Sequence, residues 1–402
     1  MACVPIVTYT SLFPNREMPH HGVFVAERLR RLVATRRVSA TVVAPLPWFP
    51  ARARMFGEYG RYARVPRAER WEDCDVLHPR YGTVPGIGMN IQAVSLARAT
   101  LRELRRLRER GLAAVIDAHY FYPDGVAAAW IGQRLRIPVV ITARGSDINV
   151  LARHPVPRRL ILRAAHQAAA VVTVSESLRT ELIRMGVPAD RVRTLRNGVD
   201  LVRFSPGDRA AARQSLGLTA LTLLSVGRLV PGKGHALVVQ ALEQIPEAEL
   251  VVVGDGPERN AIEEAVKAGG LMGRVRFTGA LPHAKLVEYY RAADVMVLAS
   301  ASEGMPNVVL EALACGTPVV ATAVGGIPEI LDRSVGRVVA SREPPQIAAA
   351  INELRASMPE RAAVRSYAER FGWDDTIGSL AQLIEGLAAN RIENERLAAA
   401  RH

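Results

Sequence analysis

The segment ADVMVLASASEGMPNVVLEALACG, residues 293–316, contains a complete strand–loop–helix unit. Its apolar run up to Ser300 has the length of a buried strand. Pro306 favours the first position of a helix, where its missing N–H costs nothing, and Gly316 marks the end of that helix. We therefore predict a buried strand, a loop over ASEGM and a helix over NVVLEALAC.

The same alternation of strand and helix patterns extends along most of the chain. The predicted strands are CVPIVTY, ATVVAP, AAVIDAH, IPVVITA, AVVTVS and VRTL in the first half, then LTLLSVG, AELVVVG, RVRFTG, ADVMVLAS and TPVVATA. Strands that alternate with helices form parallel sheets covered by helices. Because the pattern occurs twice, we predict an α/β fold with two doubly wound, Rossmann-like domains facing each other across a cleft.

The length of 402 residues also favours two domains, because a single core rarely grows that large. The turn-rich segment RNGVDLVRFSPGDR, residues 196–209, separates the two series of strands. We predict an N-terminal domain over residues 1–200, a C-terminal domain over 201–375 and a final helix within 376–402. The apolar runs are only strand-sized and the N-terminus has no basic leader, so we expect neither a membrane span nor a signal peptide.

The charge of the chain is concentrated in its first half. The net charge is +13, and residues 1–200 carry 31 basic and 16 acidic side chains. The densest stretches are 28–37, 51–70 and 101–110. This asymmetry predicts an anionic partner, either a phospholipid surface or a phosphorylated acceptor, although solvated arginine-rich helix faces are the alternative. Nucleic acid is not expected, because no recognition motif accompanies the charge.

Two carboxylates flank the start of the predicted helix in the opening segment. Glu303 lies in the loop and Glu311 lies within the first two helical turns. The N–H groups of Asn307 and Val308, together with the helix dipole, would attract a phosphate. Carboxylates on either side of a bound diphosphate could then accept hydrogen bonds from the hydroxyls of a sugar and of a ribose. Stabilisation of the helix dipole alone would explain the sign of both acids but not the loop position of Glu303.

A second loop, in LLSVGRLVPGKGHALVVQAL, follows the first strand of the second domain. Gly227, Gly232 and Gly234 let its backbone bend close to a ligand, and Arg228 and Lys233 project from it. The chain has only three lysines, so a lysine here favours a phosphate-binding loop, although loop cations are common.

Other motifs carry weaker signals. Gly254 and Gly256 in LVVVGDGPERNAI partly match a dinucleotide fingerprint, but no acidic residue follows at the required distance, so we interpret them as a turn at the cleft floor. Asp73-Cys74-Asp75 is interpreted as structural because it leads into an apolar run. Three widely spaced cysteines suit a reducing cytosol and give neither a disulfide framework nor a metal knuckle.

The first half places polar residues after its own strands. His119 in DAHYFYPDG and Asp147 in ITARGSD come just past two strand ends, so both could face the cleft. A single histidine is more often structural than functional. The loop FPNREMPHHG ends at Gly22, before a helix, and could close over an acceptor.

Taken together, these stretches resemble the retaining family-4 glycosyltransferases, also described as glycosyl transferases group 1, which have the GT-B fold. The matching motifs are EGMPNVVLE, SVGRLVPGKG, VVGDGP, RNGVDLVRF, GTPVVAT and GGIPEI, with DAH and GSD in the first half. The resemblance implies a retaining hexosyltransferase that moves a sugar from a UDP- or GDP-sugar to a polysaccharide or lipid-linked acceptor. It implies no metal and no cofactor, and a last helix that crosses back to the first domain.

The resemblance also implies roles for individual residues. Arg228 and Lys233 would hold the diphosphate, Glu303 would contact the donor sugar, and His119 would line the cleft beside the reacting sugar. Donor-binding residues would be Gly227, Gly254, Gly256, Met305, Pro306, Asn307, Val308 and Glu311, the last through the ribose. The acceptor side would include Gly22, Arg144 and Asp147. Family members commonly have a histidine where this chain has Arg144, and the arginine would meet a phosphate on the acceptor or the donor.

Two other functions are compatible with parts of the sequence. A GT-B-fold nucleotide-sugar epimerase would use the same loops without a separate acceptor. A non-enzymatic protein that binds polyanions or membranes would use the basic first half but leave the loops of the second half unexplained. For the glycosyltransferase we expect a cytoplasmic location, peripheral at the inner face of the cytoplasmic membrane.

Overall fold

The computed structural model of the chain describes residues 3–50, 53, 55, 57–83 and 88–399. The chain folds into two compact units. The first unit comprises Met1–Arg196 and Asp375–His402, and the second comprises Asn197–Asp374. Parts of the predicted arginine-rich stretch 51–70 and of the predicted final segment 376–402 lie outside the described residues.

The first unit is built on a mainly parallel sheet. Its strands are β1 (Val4–Tyr9), β2 (Val38–Val43), β3 (Leu46–Pro47), β4 (Ala68–Trp71), β5 (Cys74–Leu77), β6 (Arg80–Tyr81), β7 (Val115–His119), β8 (Val139–Ala143), β9 (Ala170–Thr173) and β10 (Val192–Thr194). Eight of them form one sheet in the order β10-β9-β8-β7-β1-β2-β5-β4, and β3 pairs with β6. Within the large sheet, β4 and β5 pair antiparallel and the other neighbours pair parallel.

The second unit has a fully parallel sheet. Its strands are β11 (Leu221–Val226), β12 (Ala248–Val253), β13 (Val275–Gly279), β14 (Val295–Leu298), β15 (Val319–Thr322) and β16 (Gly336–Val339). They pair in the order β13-β12-β11-β14-β15-β16. This is the strand order of a Rossmann sheet, so the predicted α/β class with two Rossmann-like domains is confirmed.

Helices connect the strands and cover the sheets. They are α1 (Val23–Ala34), α2 (Gly57–Arg64), α3 (Gly88–Glu109), α4 (Val126–Leu135), α5 (Ser146–Asn149), α6 (Pro155–Gln167), α7 (Glu176–Met185), α8 (Arg209–Leu216), α9 (His235–Leu242), α10 (Arg259–Ala268), α11 (His283–Ala292), α12 (Asn307–Ala314), α13 (Ile327–Ile330), α14 (Pro344–Ala356), α15 (Arg361–Ala368) and α16 (Asp374–Ala399). Capping side chains and glycines fix the ends of several helices. Ser175, for example, caps α7 by accepting a hydrogen bond from the Leu178 N–H, and the left-handed Gly186 ends it.

The long last helix, α16, completes the first unit. Arg37 donates a hydrogen bond of 2.8 Å from Nε to Oε1 of Glu385. Arg391 donates from Nη1 to the carbonyl oxygens of Ala113 at 2.8 Å and Ala114 at 3.1 Å. These contacts join the C-terminal helix to the start of β2 and to the segment before β7.

The strand orders place particular loops side by side. In the second unit the order reverses between β11 and β14, and in the first it reverses beside β1, whose neighbours are β7 and β2. Ligands of open parallel sheets bind at the carboxyl ends of the strands where the order reverses. The loops after β11 and β14, and those after β1 and β7, are therefore the places to look for function.

Some predicted elements need correction. The apolar run that follows Asp73-Cys74-Asp75 lies in β5, which begins at Cys74, but β3, β4, β6 and β16 were not predicted. Each of these strands has at most four residues, and β4 carries the polar sequence AERW, which lacks the expected β-branched run. Pro306 lies one residue outside its helix, at the N-cap, and not at the first helical position.

Candidate active site

Three loops of the second unit pack against one another at the reversal of strand order. A Cβ on Gly254 would lie 1.8 Å from the carbonyl oxygen of Gly227, and a Cβ on Gly256 would lie 2.4 Å from that of Leu229. Gly234 has φ 71°, and a Cβ there would lie 2.2 Å from the carbonyl oxygen of Ala299. The glycines are therefore required because the loops after β11, β12 and β14 touch, as the predicted turn at Gly254 and Gly256 implies.

Lys233 and Glu303 meet within this loop cluster. The Nζ of Lys233 donates a hydrogen bond of 2.5 Å to Oε1 of Glu303. The hydroxyl of Ser300 donates to the same oxygen at 2.7 Å. Glu303 is only 9% exposed, whereas Lys233 is partly exposed. The structure thus joins two of the predicted catalytic residues into one ion pair. The Lys233 side chain is the more exposed of the two.

The backbone of the GGIPEI motif packs against the backbone of the Glu303 loop. Gly325 has φ 55°, and a Cβ there would lie 1.9 Å from the carbonyl oxygen of Glu303. The N–H of Gly326 donates to the carbonyl oxygen of Gly304 at 2.9 Å. The backbone of this motif therefore determines where the Glu303 carboxylate lies.

The amino end of α12 follows directly. Met305 and Pro306 are buried, while Asn307 and Val308 are partly exposed. No side chain caps the helix, and its first turn holds no acidic residue. The Nδ2 of Asn197, from the RNGVD motif, donates to Oδ1 of Asn307 at 3.0 Å. The first N–H groups of an uncapped helix are suited to an anion, as predicted for Asn307 and Val308.

Glu311 belongs to a second, separate hydrogen-bonded group. The hydroxyl of Tyr290 donates to its Oε2 at 2.8 Å, and Nε2 of His283 lies 2.8 Å from its Oε1. The ring of Phe204 packs edge-on against His283 and Tyr290, with centroid distances of 5.0 Å and 6.0 Å. Burial and the Glu311 carboxylate raise the pKa of Tyr290 well above its ordinary value, so the phenol is a donor here. Both carboxylate oxygens of Glu311 are thereby oriented.

The loop after β11 contains two further side chains. Arg228 is exposed. His235, which was not predicted, is buried at the start of α9, and its Nδ1 lies 2.9 Å from the hydroxyl of Ser225. Burial lowers the pKa of His235 to about 4, so the ring is neutral near pH 7. A neutral ring here leaves Arg228 and Lys233 as the cations of the loop.

In the first unit, His119 lies in a chain of buried charges. Its Nε2 is 3.1 Å from Oδ2 of Asp117, and its Nδ1 is 2.5 Å from Nη2 of Arg144. Arginine can only donate, so Nδ1 accepts and Nε2 carries the proton. Burial lowers the pKa of His119 to about 4, which keeps the ring neutral. Contact between a sugar and a ring nitrogen of His119 would require one of these hydrogen bonds to break.

The structure buries Asp147, which was predicted to face the cleft. Its carboxylate accepts hydrogen bonds from the N–H groups of Phe121 at 2.6 Å, Gly145 at 2.7 Å and Arg144 at 3.1 Å. These partners lie after β7 and after β8. Asp147 therefore holds two neighbouring loops together, and its oxygens are directed at the backbone rather than at a ligand.

Gly22 is required by the fold of its loop. It has φ 68°, and a Cβ there would lie 2.2 Å from the carbonyl oxygen of Leu12. At the other end of the loop, the N–H of Ser11 donates to Oδ1 of Asp124 at 3.0 Å, and its hydroxyl donates to Oδ2 at 2.8 Å. Both ends of the segment after β1 are therefore fixed.

Sequence reasoning missed the partners that orient the predicted residues. These are Arg28, Asn197, Ser300, His283 and Tyr290. Ser300 lies in the same loop as Glu303. Each of the others contacts a residue of another loop or helix, and no motif spacing signals such a contact. The described residues contain no group of three metal-ligating side chains and no helix long and apolar enough to span a membrane.

Two family descriptions match the chain. Glycosyltransferase Family 4 matches residues 84–203, and Glycosyl transferases group 1 matches residues 208–371. The chain is 32% identical over 354 residues to TuaC of Bacillus subtilis strain 168, a glycosyltransferase assigned to teichuronic acid biosynthesis, covering 86% of this chain and 88% of TuaC. It is 33% identical over 430 residues to the D-inositol 3-phosphate glycosyltransferase of Acidothermus cellulolyticus, covering 89% of this chain and 94% of that protein.

Solved structures share the fold at lower identity. Sucrose-phosphate synthase of Thermosynechococcus elongatus gives a TM-score of 0.74 at 23% identity, covering 92% of this chain and 94% of that one. Anabaena Alr3699/HepE in complex with UDP gives 0.71 at 20% identity, covering 95% of this chain and all of that one. At these identities the likeness shows the fold alone.

Proposed function

The chain belongs to the family-4 glycosyltransferases with the GT-B fold, and we propose that it transfers a hexose, with retention of configuration, from a nucleotide sugar to a glycan or lipid-linked acceptor. The observation that carries this proposal is the Lys233–Glu303 ion pair in the loops after β11 and β14, where the sheet order reverses. We expect a UDP- or GDP-sugar as donor. The Anabaena relative of the same fold is described with UDP, which supports testing UDP-sugars first.

The diphosphate needs positive charge as it leaves. Breaking the anomeric C–O bond builds negative charge on the departing phosphate and positive charge on the sugar. Lys233, Arg228 and the uncapped amino end of α12 would neutralise the phosphate without a metal ion. Because Lys233 donates to Glu303, a phosphate that binds the ammonium shares it with that carboxylate. Glu303 would in turn accept hydrogen bonds from the hydroxyls of the donor sugar.

Retention of configuration is consistent with the hydrogen bonding of His119. In our proposal the departing phosphate oxygen takes the acceptor proton on the same face of the sugar, so no protein base is required. Both ring nitrogens of His119 are already hydrogen-bonded within the protein. We therefore assign His119 a positioning role that holds Arg144, rather than the role of a general base.

The nucleotide would be held through its ribose. Tyr290 and His283 bind one oxygen each of Glu311. Each carboxylate oxygen has a further lone pair that can accept a ribose hydroxyl. This arrangement supports Glu311 as the ribose contact.

The membrane surface is a second part of the proposal, and it has its own observation. Trp48 is 56% exposed, Met55 is 85% exposed and Tyr59, on α2, is 41% exposed. We call these three residues the exposed apolar group. Met55 and Tyr59 lie within the arginine-rich stretch 51–70, and Trp48 precedes it. The combination of apolar, aromatic and basic side chains suits the interface of an anionic bilayer.

The proposal is tested by donor binding and turnover with a lysine variant. UDP-, GDP- and ADP-sugars are screened by thermal shift, since only a ligand of the native state raises the melting temperature. With the stabilising donor, Lys233→Ala should lower kcat/KM by about 30- to 1,000-fold, the effect of removing one donor to an oxyanion. Lys267→Ala, which removes an exposed lysine of α10, is the control and should leave kcat/KM unchanged.

Three outcomes would count against the proposal. They are near-normal turnover in Lys233→Ala, the absence of stabilisation by every donor, and conversion of the donor to an epimer without any acceptor. Release of free nucleotide that depends on an added acceptor distinguishes transfer from epimerisation.

A further inference from the structure

Asn197 is a buried amide at the start of the second unit, and it contacts the candidate donor site. It is 7% exposed, and its Nδ2 donates a hydrogen bond of 3.0 Å to Oδ1 of Asn307. The contact joins the RNGVD motif to the EGMPNVVLE motif, which lie far apart in the sequence. It does not cap α12, because no side chain accepts from the backbone N–H groups at the start of that helix. Its effect is on the orientation of the Asn307 side chain.

The backbone next to Asn197 is held in place by residues near the end of the second unit. A Cβ on Gly198 would lie 2.7 Å from ring atoms of Trp373, so the ring packs directly on this backbone. The N–H of Val199 donates to the carbonyl oxygen of Phe371 at 2.9 Å. Trp373 is itself buried. The Asn197 side chain therefore projects from a fixed stretch of backbone.

The contact decides which end of the Asn307 amide is available to a ligand. An amide oxygen only accepts hydrogen bonds, and an amide NH2 group only donates them. Because Asn197 occupies Oδ1 of Asn307, the Nδ2 group lies on the other side of the amide. Within the part of the chain that the structure describes, this Nδ2 meets no acceptor, and the Asn307 side chain is partly exposed. One oriented NH2 group is thus available at the start of α12.

This NH2 group adds to other donors at the same end of the helix. α12 has eight residues, no side-chain cap and no acidic residue in its first turn, so its first backbone N–H groups are free for a ligand. The loop that leads into α12 carries Glu303, to which the ammonium of Lys233 is bonded. An oxygen that approaches the start of α12 therefore meets hydrogen-bond donors from the backbone and from the Asn307 side chain.

We propose that the side-chain NH2 group of Asn307 donates to an oxygen of the donor's diphosphate, and that Asn197 is the positioning residue that keeps this NH2 group towards the ligand. This rests on the proposed function, because it adds a contact to the same donor site. The contact is distinct from the backbone N–H groups expected from the sequence, which any residue except proline would supply. If the amide were reversed, its oxygen would face the phosphate oxygens and repel them. Asn197 prevents that reversal.

Inorganic pyrophosphate is the probe for this contact, because it carries a diphosphate without a base or a sugar. It is titrated into the intact protein by calorimetry. Asn307→Ala, which keeps the backbone N–H, should weaken its binding about tenfold or more, the effect of one hydrogen bond to a charged group. Lys233→Ala should weaken it as well, since the ammonium belongs to the same site. Asn352→Ala, which removes an exposed asparagine of α14 in the same unit, should leave the affinity unchanged.

Three results would overturn the phosphate contact. They are the absence of pyrophosphate binding by the wild type, unchanged affinity in Asn307→Ala, and unchanged affinity in Lys233→Ala, which would place the pyrophosphate outside the donor loops. A hydroxyl of the donor sugar is the other oxygen that an NH2 group can bind. In that case Asn307→Ala would raise the KM for the sugar nucleotide and leave pyrophosphate binding as it is in the wild type.

A double-mutant cycle tests the positioning role of Asn197. Asn197→Ala frees the Asn307 amide to rotate, so it should weaken pyrophosphate binding several-fold in the wild-type background. In the Asn307→Ala background it should have no further effect, because no amide is left to orient. Asn197→Asp, which has nearly the same size, accepts from the NH2 group and turns the amide, so its loss should exceed that of Asn197→Ala. Equal losses in the two backgrounds would show that Asn197 does not act through Asn307 and would overturn its positioning role.

The outcomes also separate this contact from the proposed function. If pyrophosphate binds through Asn307 but no nucleotide sugar is turned over, the proposed function fails and the diphosphate contact stands. If nucleotide sugars are turned over but Asn307→Ala binds pyrophosphate as the wild type does, the contact fails and the proposed function stands.

Discussion

Asp124 shows how much one buried side chain can set the pH response of the first unit. Burial raises the pKa of Asp124 to about 7 from an ordinary value of 3.8, although Ser11 donates to both of its oxygens. Between those values the folded state binds more protons than the unfolded state. The contribution of Asp124 to stability is therefore complete below about pH 4 and is lost as the pH rises through about 7.

Asp124→Asn should remove this dependence. The amide can still accept from the Ser11 N–H and can donate to the Ser11 hydroxyl, so the fold is retained. The difference in free energy of unfolding, variant minus wild type, should increase from pH 4 to pH 7. The increase should be at most about 1.4 kcal/mol per pH unit. Urea titrations at several pH values measure the difference, and parallel curves for the two proteins would contradict the expectation.

Tyr290 offers a second prediction at the scale of the residue. Tyr290→Phe removes the donor to Oε2 of Glu311 and leaves the ring in place. If Glu311 binds the ribose, we expect the KM for the donor to rise about five- to tenfold, the effect of one hydrogen bond, with a smaller change in kcat. The loss should shrink with a 2′-deoxynucleotide donor. An equal loss with both donors would show that Tyr290 does not act through the ribose.

The candidate site could be predicted from the sequence only in part. Lys233 and Glu303 were proposed because each lies in a loop that follows a strand, beside glycines, and Glu311 because it lies within the first two turns of a predicted helix. These features are local. The pairing of Lys233 with Glu303, and of Glu311 with Tyr290, could not be foreseen, because each joins residues of separate elements. The burial of Asp147 could not be foreseen either, because its position after a strand does not reveal that backbone N–H groups surround its carboxylate.

At the scale of the element, the turn at Gly325 determines the position of the Glu303 loop. Gly325→Ala places a Cβ 1.9 Å from the carbonyl oxygen of Glu303, at a φ of 55°. We expect transfer activity to fall at least tenfold and the melting temperature to drop by several degrees, since a strained residue costs roughly 1–3 kcal/mol. Assays of turnover and thermal unfolding measure both effects.

Gly386→Ala is the matched control for this substitution. Gly386 lies within α16, where an added Cβ meets nothing within 4 Å. Alanine is the better helix former, so stability should be equal or slightly higher and turnover unchanged. If both glycine variants behaved alike, the close approach at Gly325 would not matter for the site.

The exposed apolar group (Trp48, Met55 and Tyr59) gives a prediction for membrane binding. Trp48→Ala combined with Met55→Ala should lower binding to vesicles that contain anionic phospholipid, because both side chains would enter the interface. Binding should also weaken as salt is added, since arginines contribute to it. Sedimentation with vesicles measures the bound fraction. Val202→Ala, which changes a residue of the second unit that is 90% exposed, should have no effect.

This prediction can fail in two ways. One is failure of the wild type to sediment with anionic vesicles at low salt, and the other is binding of the double variant as strong as that of the wild type. Either result would remove the membrane from the proposed function and leave the donor loops unaffected.

At the scale of the whole molecule, the alternation of strands and helices predicted two Rossmann-like domains, and the structure confirms them. The alternation could not predict the width of the first sheet. Strands β4 and β5 extend it by an antiparallel hairpin, and their short, polar sequences are recognisable only once β2 is there to pair with β5. Long apolar runs identify the central strands of a sheet. The outer strands cannot be recognised from their own sequences, because they form by pairing with neighbouring strands.

The charge of the molecule also follows the division into two units. The basic excess lies in the first half of the sequence, while the second half carries 21 basic and 23 acidic side chains. The predicted phosphate-binding cations Arg228 and Lys233 therefore lie in the half without net positive charge. The potential at the donor loops is accordingly local, set by particular side chains and by the amino end of α12.

The chain enters the first unit, leaves it at Arg196 and returns to it at Asp375. Scission at a single point cannot therefore divide this enzyme into two self-sufficient fragments. A fragment of residues 197–374 carries every strand of its sheet, whereas 1–196 lacks the helix anchored through Glu385 and Arg391. Anyone wishing to express the amino-terminal half alone would have to splice residues 375–402 onto it, for instance through a short linker in place of the excised domain.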